Sequence, residues 1–87
     1  MTDDSLLEFP CRFPIKVFGA HDGHFEQQIF DLLKPHVPEL SQDDLTRNPS
    51  RKGNYVAITV DVLARDRAQL DAIYEDLTAC DAVLMAL

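Results

Sequence analysis

Two histidines three positions apart, His21 and His24, stand in and beside the turn Gly19-Ala20-His21-Asp22-Gly23. With Asp22 between them they offer two imidazoles and a carboxylate, an incomplete set for zinc, which takes three or four such ligands. No HExxH and no further ligand at metal-binding spacing accompanies them, so polar turn surface is the simpler reading. The second chemistry of this turn belongs to its backbone. A helix opening here presents free N–H groups and a positive dipole end to a carboxylate or phosphate. That makes Gly19, His21, Asp22 and Gly23 the candidate ligand-binding residues. A third cluster is basic: Arg47, Arg51 and Lys52 fall within six positions of one another in an otherwise acidic chain. In Ser50-Arg51-Lys52-Gly53-Asn54-Tyr55 the glycine and asparagine suit a tight turn, and the cations suit contact with a partner.

Nucleophilic catalysis finds no support. Cys11 and Cys80 form no CxxC and no zinc spacing, and no serine has a nucleophile's surroundings. The carboxylates are scattered as on ordinary solvated helix faces. A protein without catalytic activity, cofactor or metal is the expectation. Fifteen acidic against eight basic residues give a net charge of −7, which opposes general binding to a phosphate backbone. The apolar runs are far short of the ~18 residues that span a bilayer, and Met1-Thr2-Asp3-Asp4 is acidic where a signal peptide needs positive charge. No membrane and a cytoplasmic location are expected.

These residues must be positioned by one small domain, since 87 residues support a single modest core. Residues 1–9 read as a flexible acidic leader whose Leu6, Leu7 and Phe9 can lie on the body, and 10–87 as the domain. Arg12 to Gly19 alternates as a strand, Phe13, Ile15 and Val17 on one side, Lys16 and Phe18 on the other. Asp22 suits the N-cap of a helix whose apolar positions are Phe25, Ile29, Leu32, Leu33 and His36, with Lys34-Pro35 ending it. Val37 to Ser41 reads as a loop and Asp44 to Asn48 as a weak edge strand. Pro49 to Gly53 then turns the chain into Asn54–Val62, the strongest strand, with Val56, Ile58, Val60 and Val62 on one side. Asp66-Arg67-Ala68-Gln69 has the form of a capping box, and Leu70, Ile73, Tyr74 and Leu77 give the second helix its buried stripe. Ala82–Leu87 is the last strand, with Val83, Met85 and Leu87 expected on one face.

The order β-α-β-β-α-β predicts an α+β ferredoxin-like sandwich: a four-stranded antiparallel sheet of order 4-1-3-2 with both helices on one face. The other face is left bare, with Lys16, Phe18, Tyr55, Ala57, Thr59 and Leu84 on it. That is more apolar surface than a small acidic monomer usually exposes, so a partner or a second copy is expected there. Lys16, Phe18, Arg51, Lys52, Asn54 and Tyr55 are the candidate partner-binding residues. Cys11 and Cys80 fall at opposite ends of the sheet, too far apart for a disulfide.

Two other uses of this fold fit poorly. RNA-recognition domains stack bases on aromatics that follow a K/R-G pair, but the places after Lys52-Gly53 hold Asn54 and Val56, and Tyr55 stands one residue out of register. Acylphosphatases need an arginine in the loop after the first strand, and Gly19–Gly23 has none.

Leu7-Glu8-Phe9-Pro10, Phe13-Pro14-Ile15-Lys16-Val17-Phe18-Gly19, Ser50-Arg51-Lys52-Gly53-Asn54-Tyr55 and Leu70-Asp71-x-Ile73-Tyr74-x-x-Leu77 together resemble the YbeD-like family of small bacterial proteins. That family is of unknown function, and its fold is similar to the ACT domain, a regulatory module attached to amino-acid-biosynthetic enzymes. The resemblance implies a stand-alone, non-catalytic regulatory module. Such a module is expected to be a homodimer that senses a small anion or an amino acid at the loop after the first strand, or modulates a metabolic enzyme. The alternatives are an interaction adaptor without a ligand and, third, an RNA-binding module.

Overall fold

The computed structural model of the chain describes residues 8–20, 23–50 and 52–87. The elements follow the expected order: β1 (Cys11–Ala20), α1 (Phe25–Leu33), β2 (Leu45–Pro49), β3 (Tyr55–Ala64), α2 (Arg67–Ala79) and β4 (Val83–Ala86), with a short 3-10 turn at Gln42–Asp44 before β2. The strands form one antiparallel sheet in the order β2-β3-β1-β4, the predicted 4-1-3-2 read from the other edge.

Alternation explains why β1 and β3 occupy the centre. Ile15 pairs with Val60 and Val17 with Ile58, and all four are fully buried. Val56, Val62 and Ala64 complete the same face. Phe25, Ile29 and Leu33 of α1 and Leu70, Ile73 and Leu77 of α2 join that single cluster, so both helices cover one side of the sheet. Phe9 packs at its margin. Leu6 and Leu7 lie outside the described residues.

Local signals account for the helix ends. Helix α1 stops at Leu33; Lys34 at the C-cap keeps helical dihedrals (φ −55°, ψ −41°), contrary to the restriction expected before a proline, and the ladder ends because Pro35 has no N–H to donate. Asp22, the expected cap, lies outside the described residues, and the position next to the first helical residue is held by His24. The capping box at α2 is altered. Asp66 accepts from the Gln69 N–H at 2.8 Å as predicted, but Gln69 Oε1 reaches back to the Arg65 N–H at 2.6 Å, and its Nε2 donates to the His36 carbonyl at 2.8 Å. His36 is half-buried as expected, and its Nε2 also meets Asp76 Oδ2 at 2.5 Å. A complete box, not expected from the sequence, stands at Ser41. Its Oγ accepts from Asp43 N–H and Asp44 Oδ2 accepts from its N–H, so the segment read as loop ends in an ordered turn and β2 begins at Leu45.

Strand β4 corrects the expected facing of the last strand. Gly19 pairs with Val83, but Phe18 pairs with Met85 and Val17 with Ala86, so one extra residue is accommodated at Leu84. A bulge shifts alternation by one, because two residues then oppose a single partner. Val83 and Ala86 therefore turn to the core, while Met85 and Leu87 lie on the bare face instead of sharing one with Val83.

Candidate functional site

The face of the sheet opposite the helices is built in rows across the strands, since paired residues point the same way. One row runs Asn48, Ala57, Phe18, Met85, and the next Thr46, Thr59, Lys16 and Leu87, the last pair joined by two backbone hydrogen bonds of 2.8 and 3.0 Å. Among the described residues Tyr55, Leu84, Met85 and Leu87 are the large apolar side chains most exposed, at 54%, 61%, 54% and 60%, and all four lie on or at this face. The bulge adds to the patch, because it presents Leu84 and Met85 together where regular alternation presents one. Small Ala57 leaves a hollow of about 130 Å³ bounded by Phe18, Asn48, Ser50 and Tyr55. That approaches the roughly 150 Å³ that admits a benzene ring in an apolar cavity.

Lys16 stands exposed beside this hollow, and its ammonium has no ion pair or hydrogen-bond partner among the described residues. Asp61 is the acid of this face, and Arg12 lies 4.0 Å from it. Glu26 and Asp31 on α1, and Asp71, Glu75 and Asp76 on α2, belong to the helical side. The sheet side is thus poor in negative charge.

Sequence-predicted partner residues divide between this face and the hairpin. Lys16, Phe18 and Tyr55 are brought together on the sheet. Lys52 and Asn54 are exposed in the β2–β3 turn, and Arg51 lies outside the described residues. The turn answers largely to its own geometry: Gly53 has φ +76°, its N–H bonds the Ser50 carbonyl at 3.0 Å, and Ser50 Oγ accepts from the Tyr55 N–H at 3.2 Å. Met85 and Leu87 were missed, and no residue type in Val83-Leu84-Met85-Ala86-Leu87 announces the bulge that turns them outward.

The ligand-loop residues are less coherent. Gly19 is buried, and a Cβ there would stand 2.4 Å from the Phe25 ring, so its smallness serves packing rather than access to a ligand. His21 and Asp22 lie outside the described residues. Gly23 is exposed at φ +82°, a backbone conformation that favours glycine. Beside it, Phe25, Glu26, Arg47, Val56 and Ile58 enclose about 20 Å³, room for one water but not for an amino acid. Among the described residues no three His, Cys, Asp or Glu side chains converge as a metal site, and no helix is long and apolar enough to cross a membrane. Cys11 and Cys80 are free thiols, both half-buried.

Residues 4–87 match the family described as "Protein of unknown function (DUF493)". A UPF0250 protein of Neisseria gonorrhoeae is 45% identical over 83 residues, covering 95% of this chain and 91% of its own. A UPF0250 protein of Nitrosomonas europaea is 37% identical over 87 residues and covers both chains completely. Among solved structures, protein HP0495 from H. pylori superposes with a TM-score of 0.71 over 100% of this chain and 94% of its own; at 16% identity it shows a shared fold.

Proposed function

The chain belongs to the DUF493 family, the YbeD-like small bacterial proteins, whose description carries no activity; from its geometry we propose a non-catalytic regulatory module that docks its open sheet face onto a partner protein. One observation carries this reading: four large apolar side chains stand 54–61% exposed on the one face the helices leave uncovered, which also bears Lys16, a lysine with no partner among the described residues. Solitary exposed hydrophobics are normal on a protein surface, whereas a contiguous patch marks an interaction site.

Magnitudes set the kind of interaction. Fully burying one such side chain contributes about 1.5–3 kcal/mol, so four that are roughly half-exposed supply about 3–7 kcal/mol. Association itself costs an estimated 4–15 kcal/mol. The apolar patch alone therefore supports a transient contact, as suits a module that modulates an enzyme rather than an obligate subunit. Sensing of a small anion or amino acid draws less support, given the small space beside Gly23.

Met85→Asp places a charge in the patch without touching the core. In capture from the source cells, wild-type protein should retain a partner that Met85→Asp loses and that Glu75→Lys, on the opposite side, keeps. Equal retention by all three would refute face-mediated docking. Thermal shift against amino acids and small carboxylates tests sensing: stabilisation by one of them, insensitive to Met85→Asp, would transfer the function to the ligand loop.

A further inference from the structure

Resting on the docking reading above, we propose that the face receives a segment of another protein bearing one apolar side chain and one carboxylate about 7 Å apart, the span of two residues along a strand. The apolar group fills the hollow over Ala57, and the carboxylate pairs with Lys16, one row along the sheet.

Three observations select this occupant. The first is charge: Lys16 has no partner among the described residues, and the acid of its own face, Asp61, is already beside Arg12. An ammonium at the rim of an apolar contact has to meet a compensating group when water is excluded. The second is area. Where four strands run side by side, the face measures about 19 Å across by 17 Å along, roughly 320 Å². A footprint of that size takes a segment of about five extended residues. The third excludes a second copy joined along the sheet edges. Strand β2 carries Pro49, which lacks the N–H another strand needs, and β4 is four residues long and bulged. Two copies with a net charge of −7 each also repel.

Selection from a random peptide library on the full chain tests this. Enriched peptides should carry Asp or Glu two places, or one helical turn, from Leu, Ile or Phe. By fluorescence anisotropy, Lys16→Glu should weaken them at least about tenfold, and exchanging the peptide acid for lysine should restore binding to that variant. Ala57→Phe, which fills the hollow, should weaken them comparably while the circular dichroism melt stays in place. Peptides without an acid, or indifferent to Lys16→Glu, overturn the proposal; if Met85→Asp still abolishes their binding, the docking reading stands, and if it does not, both fall. A dimer in sedimentation that Met85→Asp dissolves overturns it in favour of a second copy. Salt-sensitive binding of oligouridylate, lost with Tyr55→Ala and Phe18→Ala, overturns it in favour of RNA.

Discussion

A methyl group on Gly19 would lie 2.4 Å from Cε1 and Cζ of Phe25 and 2.8 Å from the Ala82 carbonyl oxygen. Phe25 is buried and the oxygen belongs to the backbone, so neither yields cheaply. Gly19→Ala should cost about 1–3 kcal/mol in urea unfolding, and Phe25→Leu in the same chain should recover part of it. Gln69 is the corresponding polar fixture: buried, it binds the Arg65 N–H and the His36 carbonyl at once. Gln69→Leu strands both groups at about 1–3 kcal/mol each, and each kcal/mol lowers the melting temperature of a domain this size by about 4–8 °C. Tyr74 supplies a pH signature, because burial holds its phenol above the usual value of 10. The unfolded chain ionises first, so this contribution to stability is complete below pH 10 and falls as pH rises through the folded-state value. A Tyr55→Phe chain, with Tyr74 its remaining tyrosine, should ionise at higher pH folded than in urea when followed by phenolate absorbance. Tyr74→Phe should flatten the alkaline loss of stability by that portion.

At the level of elements, the two central strands were legible because their chemistry repeats every second residue. Val56, Ile58, Val60 and Val62 are β-branched and all buried, and the intervening Tyr55, Ala57 and Thr59 are not. The same alternation puts Lys16, Phe18 and Tyr55 on the open face from the sequence alone. It failed at β4, where Val83-Leu84-Met85-Ala86-Leu87 contains no glycine or proline to mark an irregularity. The bulge there is set by the partner strand: Ala86 has to meet Val17 while Val83 meets Gly19. Gln69 was legible as a capping residue but not in its choice of donor, since that depends on where His36 arrives from α1. Deleting Leu84 tests the bulge directly. Val83 and Ala86 should keep their core places, with the melting temperature moving by a few degrees, about the effect of 1 kcal/mol or less. Loss of cooperative folding would show instead that Leu84 is needed to bring Ala86 to Val17.

For the whole molecule, charge and greasiness are segregated. Helix-side acids such as Asp71, Glu75 and Asp76 face away from a sheet surface that bears Lys16 and the exposed Leu84, Met85 and Leu87. Because the patch contributes little to the core, Met85→Asp should change unfolding free energy by no more than about 0.5 kcal/mol. It should nonetheless elute clearly earlier from a hydrophobic-interaction column than the wild type. A shift in stability of several times that size would mean that Met85 belongs to the core after all.

The terminated sheet margins, proline-bearing on one side and kinked on the other, have a consequence for crowded solutions. An object adhesive on one surface and closed at both rims behaves as a tile with a single glued side. On the docking reading proposed above it takes one mate on that surface, and growth from rim to rim into filaments is disfavoured.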